Sequence, residues 1–145
     1  MRIAVISDTH GRLPDHVVVA IRGADEIWHL GDVTEPSIVS RLEAVGPPVR
    51  VVKGNCDGWR DWPASLMFEI EGTRLLLIHI PPLEPPPNFD VLLHGHTHVP
   101  RNEMVRGVRM LNPGCISRPN RGAPSSYAWL ELRAGEPISW EIVLV

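Results

Sequence analysis

Short apolar runs alternate with amphipathic segments in the first third of the chain. The apolar runs predict buried strands over residues 2–6, 25–32 and 49–57, each of which ends in polar, turn-forming residues. Residues 14–23 begin with proline, which suits a first helical turn, and residues 35–46 carry apolar side chains at helical spacing; both segments end at glycine. The resulting order, β-α-β-α-β, is typical of a mostly parallel sheet covered by helices.

The second half of the chain has the pattern of antiparallel hairpins. Three segments each contain two strand-like runs separated by a turn: residues 65–80 with Glu71-Gly72, 102–114 with Arg106-Gly107, and 126–145 with Ala134-Gly135. Residues 89–96 predict a further strand, whereas residues 81–89 hold five prolines, which indicates a stiff, extended connector rather than a helix. We therefore expect a single domain over residues 1–145, α/β at first and α+β afterwards, with two stacked sheets flanked by helices.

The composition is that of a soluble globular protein, with 43% hydrophobic and 21% charged residues. No apolar run approaches the roughly 20 residues that span a bilayer, and the N-terminus turns polar too soon for a signal peptide. We therefore expect a cytoplasmic protein without a membrane partner. Two cysteines do not make a disulfide framework. A net charge of −3 offers no basic surface, which disfavours nucleic acid as a partner.

Histidines are concentrated in one place. The sequence VLLHGHTHVP, residues 91–100, holds three of the seven histidines of the chain directly after an apolar run. Crowded imidazoles are costly when they are desolvated and unpaired, whereas a bound metal ion would explain them. Other residues of metal-ligand type also follow predicted strands: Asp8, His10, Asp32, Asn55, Asp57 and His79 precede the group His94, His96 and His98. Ligands of parallel sheets bind outside the carboxyl ends of the strands, so we expect these side chains to meet.

The donor types restrict the metal. Carboxylate oxygens, an amide oxygen and imidazole nitrogens favour Mn²⁺, with Fe, Zn²⁺, Co²⁺ or Ni²⁺ as alternatives, over Ca²⁺. So many donors exceed what one catalytic ion with an open position can take, and they fit two ions about 3.5–4 Å apart that share a carboxylate. On an extended backbone, His96 and His98 would point to the same side and serve adjacent ions.

Six fragments occur along nearly the whole chain: DTH (8–10), GD (31–32), GNCD (54–57), His79 at the end of a strand, GHTH (95–98) and NPG (112–114). In type and order they resemble the calcineurin-like metallophosphoesterases, in particular the small bacterial and archaeal phosphodiesterases. The resemblance implies a four-layer α/β/β/α sandwich with two mixed β-sheets. It also implies the ligand sets: Asp8, His10, Asp32 and His98 on one ion, and Asn55, His79 and His96 on a second, with Asp32 bridging the two.

The resemblance further implies hydrolysis of a small phosphoester, and a phosphodiester rather than a monoester. Two divalent cations lower the pKa of a bridging water to about 7, so that hydroxide can attack phosphorus, and they neutralise charge in the transition state. Asp32 would bridge the ions, and Asn55 would bind metal and orient the phosphate. Cys56 stands where larger relatives carry a histidine that protonates the leaving oxygen, so we expect a preference for leaving groups that need little protonation.

The sequence also departs from the family pattern. Ile80-Pro81 and the prolines after it replace a glycine and a helix, and Cys115 replaces a serine. The alternative functions are a non-catalytic, metal-binding protein-interaction scaffold, as in the retromer subunit of this fold, and a nuclease. The resemblance and the apolar hairpins favour a homodimer. Three other polar residues have ordinary structural interpretations: His94 as a strand or supporting residue, His29 as core and Asp57 as a turn cap.

Overall fold

Two sheets and two helices account for the regular structure. The computed structural model describes residues 1–58 and 60–145. Over these residues the elements are β1 (Arg2–Ile6), α1 (Asp15–Ala20), β2 (Glu26–His29), α2 (Pro36–Glu43), β3 (Val49–Val51), β4 (Ser65–Ile70), β5 (Thr73–Ile78), β6 (Val91–Leu93), β7 (Arg101–Val105), β8 (Val108–Asn112), β9 (Ser126–Glu131) and β10 (Ser139–Leu144). Within this described part of the chain, no helix has the length and apolar character needed to cross a membrane.

The first sheet has the strand order β10-β9-β1-β2-β3, with β1, β2 and β3 parallel and β9 and β10 antiparallel. Both faces of this sheet are covered, and β1 and β2 are accordingly near-continuous runs of buried side chains. Ile6 lies opposite His29, and His29 lies opposite Val51, so the three parallel strands end at the same level. The loops that follow them therefore emerge side by side.

The second sheet has the order β4-β5-β6-β8-β7, again with a parallel centre and antiparallel edges. Leu77 of β5 lies opposite Leu93 of β6, which lies opposite Leu111 of β8. The segments after these strands thus also leave the sheet at one edge. That edge brings His79, the histidine-rich loop and the NPG segment next to one another.

Apolar side chains hold the layers together. Between the sheets, residues such as Trp28, Leu93 and Leu130 form a fully buried core, in which each aliphatic side chain contributes roughly 1.5–3 kcal/mol. Both helices pack on the outer face of the first sheet, where Ile21, just after α1, and Leu42 of α2 are fully buried. The helical spacing of residues 35–46 is thereby explained by burial of one face of α2.

The outer face of the second sheet is covered differently. Leu76, Leu92 and Met110 form a small cluster there, and Phe89, at the end of the proline-rich segment, packs against it. Proline cannot form the interior of a helix, so residues 81–89 run over this face without helical structure. The predicted sandwich of two mixed sheets is confirmed, and both helices of the described residues lie on its first side.

Three predicted strands extend well beyond the observed ones at the edge where the loops emerge. The sequence predicts strands to residues 32, 57 and 96, but β2 ends at His29, β3 at Val51 and β6 at Leu93. Asp32 and His96 have φ angles of 54° and 68°, which an extended strand does not allow. The loops therefore begin earlier than hydrophobicity alone indicates.

Candidate metal centre

Loops from both sheets bring nitrogen and oxygen atoms of four side chains together. Asp8 and His10 follow β1, Asp32 follows β2, and His98 lies in the loop after β6. His10 Nε2 lies 3.8 Å from Asp8 Oδ1, 3.7 Å from Asp32 Oδ2 and 3.3 Å from His98 Nε2. His98 Nε2 is in turn 3.1 Å from Asp8 Oδ1. Asp8, His10 and His98 are therefore close enough to share one ion.

His79 extends this cluster on the side of the second sheet. Its Nε2 lies 3.3 Å from Asp32 Oδ2 and 4.0 Å from Asp8 Oδ1. Its Nδ1 lies 2.7 Å from the Leu30 carbonyl oxygen, so Nδ1 donates a hydrogen bond and Nε2 is the ring atom that faces the two carboxylates, where the neutral form would offer its lone pair to a metal ion. Asp8, Asp32 and His79 form a second group with ligand atoms within 4.8 Å of one another.

The electrostatics of this cluster fit a bound cation. Asp8 Oδ1 and His79 Nε2 are buried and have no hydrogen-bond partner among the described residues, and an unpaired buried polar atom is costly. Burial raises the pKa of Asp8. Burial opposes the charged form of His79 as well, but the Asp32 and Asp8 carboxylates and the Leu30 carbonyl raise its pKa. The donor atoms of these side chains thus converge on one position that a cation would occupy, and mixed carboxylate and imidazole donors suit a transition-metal ion.

Asn55 and His96 lie at the solvent-exposed side of the cluster. His96 Nδ1 is 3.0 Å from Asn55 Oδ1, and the His96 ring meets the His79 ring edge-on with centroids 5.3 Å apart. Both side chains are exposed, unlike Asp8 and His79. The structure thus brings all seven residues that the sequence predicts as ligands into one neighbourhood.

Cys56 lies at the same exposed side. Its backbone N–H donates to Asp32 Oδ1 at 2.8 Å, and its Sγ accepts from Asn55 Nδ2 at 3.4 Å. The sulfur also lies within 4.8 Å of ligand atoms of His10 and Asp32. A thiol at this distance can reach a group bound at the cluster.

The backbone of the cluster is strained. Nine described residues other than glycine have positive φ, and five of them belong to the predicted ligand set: Asp8, His10, Asp32, His96 and His98. Such conformations cost on the order of 1–3 kcal/mol each and persist where the surroundings impose them, often at functional sites. The prediction that His96 and His98 lie on an extended strand is wrong. Their side chains reach the cluster from left-handed turns, with φ of 68° and 59°.

Hydrogen bonds orient the two carboxylates, and most of these partners have no recognisable sequence signal. Ser7 Oγ donates to Asp8 Oδ2 at 2.6 Å, and the His96 N–H donates to the same oxygen at 3.2 Å, which leaves Asp8 Oδ1 free. Asp57, expected as a turn cap, accepts the N–H of Gly54 at 2.7 Å within its own turn. It also accepts from the N–H groups of Asp32 and Thr34, and so connects the loops after β2 and β3.

The NPG segment supports the histidine-rich loop. Asn112 Nδ2 donates to the Gly95 carbonyl and to Thr97 Oγ1, both at 3.0 Å, and Asn112 Oδ1 accepts the Gly114 N–H at 2.8 Å. Cys115 is buried, and its thiol donates to the Asp8 carbonyl oxygen at 3.2 Å. A serine hydroxyl could make the same hydrogen bond, so this departure from the family pattern preserves the support of Asp8.

Two buried histidines outside the cluster are neutral structural residues. His29 Nδ1 accepts the Gly31 N–H, and His29 Nε2 donates to Thr9 Oγ1, so this ring connects residues next to the predicted ligands. Burial lowers the pKa of His29 to about 3. His94 Nδ1 donates to the Gly95 carbonyl oxygen, and burial lowers the pKa of His94 to about 4. His29 is thus buried in the core, and His94 lies just after β6 and supports the histidine-rich loop.

Gly54 is placed so that any side chain would displace Asp32. A Cβ at this position would overlap Asp32 Oδ1 and the Asp32 backbone nitrogen. We expect Gly54→Ala to weaken Mn²⁺ binding about 10–100-fold, as loss of a ligand-orienting contact does. Titration calorimetry measures this loss, with Gly23→Ala as control because its Cβ would meet its nearest atom at 3.9 Å. Parent-like affinity in Gly54→Ala would show that the position of Asp32 is not needed.

Acid is expected to destabilise the metal-free protein below about pH 6.5. His29 and His94 have folded-state pKa values of about 3 and about 4, whereas an unfolded histidine titrates near pH ~6.5. As the pH falls, protons therefore bind first to the unfolded state. The contribution of the two histidines to the free energy of unfolding is fully present above that pH and is lost as the pH falls towards 4. The pKa of His79 is raised, which opposes this trend. The pKa of His10 is lowered, as are those of His29 and His94, so three histidines act against one.

Urea unfolding of the chelated protein from pH 7.5 to 4 measures this loss. His29→Gln should reduce the slope of the urea midpoint against pH. His16→Gln, on an exposed helical position, serves as control. A midpoint that stays constant across this range in the parent would rule out the proposed protonation.

Similarity to known proteins agrees with the fold and the cluster. The calcineurin-like phosphoesterase superfamily domain matches residues 1–135. A probable metallophosphoesterase of Methanothermobacter thermautotrophicus is 36% identical, over 99% of this chain and 92% of that protein. The structure of Yfce, a phosphoesterase from E. coli, superimposes with a TM-score of 0.74 at 30% identity, over 99% of each chain.

A third protein shares the fold at lower identity. Zinc-bound Vps29 from Entamoeba histolytica superimposes with a TM-score of 0.81 at 21% identity, over 99% of each chain. At this identity, the likeness shows that the two proteins share a fold and does not indicate a shared activity. The match over residues 1–135 and the identity to the archaeal relative are decisive: this chain belongs to the calcineurin-like phosphoesterase superfamily.

Proposed function

We propose that this chain hydrolyses phosphodiesters with two divalent metal ions bound between its sheets. The observation that carries the proposal is the lone-pair arrangement at the cluster. The Nδ1 atoms of His79 and His98 each bind a backbone carbonyl oxygen, so both Nε2 atoms face the carboxylates Asp8 and Asp32. This arrangement is costly without a cation and favourable with one.

The distances support an assignment of ligands. Asp8, His10 and His98 surround one position, and His79 with Asn55 and His96 lies beside the other. Asp32 Oδ2 is 3.7 Å from His10 Nε2 and 3.3 Å from His79 Nε2, which favours Asp32 as the carboxylate that contacts both ions. Asp8 Oδ1 lies near the same two histidines and is the alternative bridge.

Bound divalent ions would supply an activated water at neutral pH and neutralise charge on the phosphoryl group. The residues of the chain do the positioning. The Cys56 N–H keeps Asp32 Oδ1 in place, and Ser7 keeps Asp8 Oδ2 in place, so each carboxylate directs its second oxygen to the cluster. Asn55, exposed beside His96, can turn its amide N–H towards a phosphoryl oxygen.

Two cavities beside the cluster favour a diester over a monoester. One, of about 500 Å³, includes His96 in its lining, and the other, of about 290 Å³, includes Asn55 and His79. A phosphate bound at the cluster therefore has space for a substituent on either side. A phosphomonoester would use one of these spaces, whereas a phosphodiester would use both.

Cys56 is proposed to contact the leaving group. Its thiol lies at the exposed side of the cluster, near His10 and Asp32. An activated aryl ester has a stable leaving group and gains little from a proton donor, whereas a positioned donor is worth about 10²–10⁴-fold where protonation is needed. Cys56→His should therefore raise the ratio of alkyl to aryl ester turnover, and an unchanged ratio with intact metal content would exclude this role.

The proposed function is tested by comparing bis(nitrophenyl) phosphate with nitrophenyl phosphate. We expect the diester to be hydrolysed faster, the activity to disappear after chelation, and Mn²⁺ to restore it. Elemental analysis of the restored protein should give two ions per chain. Faster hydrolysis of the monoester would contradict the diester preference.

The same assay separates the alternatives. A protein that binds metal but hydrolyses neither ester would favour the scaffold function. Cleavage of single-stranded or duplex DNA at a rate above that of the small diester would favour a nuclease. The chain has a net charge of −3, which argues against that second outcome because nucleic-acid binding relies on an excess of basic residues.

A further inference from the structure

We propose that the cavity beside His96 binds a second anionic group of the substrate. The preferred phosphodiester would then carry a carboxylate or a phosphate on one of its two alcohols. This inference rests on the proposed function, because it specifies the substrate class of the same site. The cavity has a volume of about 500 Å³, which suits a small charged substituent on a short linker.

The charges in this cavity have one sign. Its lining includes Arg101 and Arg121, and no carboxylate residue of the described chain lines it. The whole chain has 17 acidic against 14 basic residues, so two arginines in one cavity are a local feature rather than part of a basic surface. His96 lies in the same lining and connects the cavity to the cluster.

Arg101 is held by contacts on both sides of its guanidinium group. Its Nε and Nη2 lie 2.8 and 2.7 Å from Glu103 Oε2, and its Nη1 lies 3.4 Å from His94 Nε2. His94 donates from Nδ1 to the Gly95 carbonyl oxygen, so its Nε2 accepts from the arginine. Glu103 offsets part of the Arg101 charge. Arg101 would therefore orient a bound anion more than attract it.

Arg121 carries the larger share of the charge. No hydrogen bond or ion pair of its guanidinium group is found within the described residues, and Arg121 belongs to the lining of the cavity. Its backbone has a φ of 51°, and the N–H of Arg121 donates to Asn120 Oδ1 at 2.9 Å. Asn120 in turn donates its own N–H to the His98 carbonyl oxygen at 3.2 Å. The strained turn thereby attaches Arg121 to the loop that carries the ligands.

This geometry gives the cavity a defined chemical preference. A phosphate at the cluster would have His96 on one side, and a substituent of that phosphate could extend past His96 to Arg121. Arginine binds carboxylate and phosphate oxygens through paired N–H donors, which gives orientation as well as attraction. A substituent that ends in a methyl group would leave the arginine without this partner.

Three phosphonates of equal chain length test the inference on Mn²⁺-loaded protein. One is butylphosphonate, and the other two carry a carboxylate or a second phosphonate in place of the terminal methyl group. We expect calorimetry to show that at least one of the anionic analogues binds about tenfold more tightly than butylphosphonate, the range of a hydrogen bond to a charged group. The tighter of the two identifies the anion.

Arg121→Gln should remove most of this preference while leaving the affinity for butylphosphonate unchanged. Arg121→Lys should retain part of it, because the charge remains without the paired donors. Arg133→Gln, at an exposed position after β9, is the matched control and should behave as the parent. Increasing salt should weaken the preference, since the cavity is open to solvent.

The outcomes separate this inference from the proposed function. Equal binding of all three phosphonates to the parent, or a preference that survives Arg121→Gln, overturns the inference alone. Failure of the loaded protein to bind any phosphonate overturns the inference and the proposed function together.

Discussion

Asp32→Ala is expected to lower kcat/KM for a phosphodiester by about 10³-fold or more, and to remove metal from the whole cluster. The Asp32 carboxylate lies nearer than that of Asp8 to both His10 and His79, at 3.7 and 3.3 Å from their Nε2 atoms. A bound metal ion stabilises the transition state by several kcal/mol, and each ~1.4 kcal/mol corresponds to tenfold in rate. Elemental analysis and steady-state kinetics of the same preparations measure both effects.

His98→Ala provides the contrast to this variant. His98 contacts Asp8 and His10 but not His79, so its loss should weaken one ion and leave the other in place. Asp61→Ala, an exposed carboxylate outside the cluster, should retain parent activity and metal content. If Asp32→Ala kept both ions, a different carboxylate would hold them together, and Asp8 would be the residue to change next.

Asp57→Ala is expected to lower the free energy of unfolding by about 3–5 kcal/mol. Its carboxylate accepts the backbone N–H groups of Gly54, Asp32 and Thr34, at 2.7, 2.9 and 2.8 Å. Each backbone donor that is left without a partner in a buried position costs about 1–3 kcal/mol. The total is a large part of the 5–15 kcal/mol, roughly, by which a domain is stable. Urea unfolding of the metal-free protein at pH 7 measures the change.

Asp57→Asn keeps the volume of the side chain and one acceptor oxygen, so it should lie between the parent and Asp57→Ala. A loss below about 1 kcal/mol in Asp57→Ala would mean that water replaces the carboxylate at these three donors. The loop after β2 would then be supported chiefly by the network of Thr9 and His29. That result would also weaken the expectation that Asp57 helps to position Asp32.

The proposed ligand set includes residues from both sheets. Asp8, His10 and Asp32 come from loops of the first sheet, whereas His79 and His98 come from loops of the second. Ion binding would therefore connect the two halves of the sandwich at one edge. A ligand present at 100 times its dissociation constant stabilises the folded state by about 2.7 kcal/mol, which is comparable to the expected cost of Asp57→Ala.

Local features of the sequence predict the donor types of the candidate site. Apolar runs of a few residues followed by Asp, Asn or His predict parallel strands with polar residues at their carboxyl ends, and the registers of β1, β2 and β3 show why these ends align. The types of donor follow from the residue names alone. Hydrophobic spacing, turn-forming glycines and ligand chemistry are properties of neighbouring residues, so they can be recognised without the fold.

The three-dimensional arrangement of the site depends on contacts between distant parts of the chain. His96 adopts a left-handed backbone, and its N–H donates to Asp8, 88 residues away, so no local pattern indicates the turn. The same is true of Asp57, which accepts from Asp32 across 25 residues, and of Asn120, which places Arg121 in the cavity beside His96. Residue types determine which atoms can bind a cation, whereas tertiary hydrogen bonds decide where those atoms point.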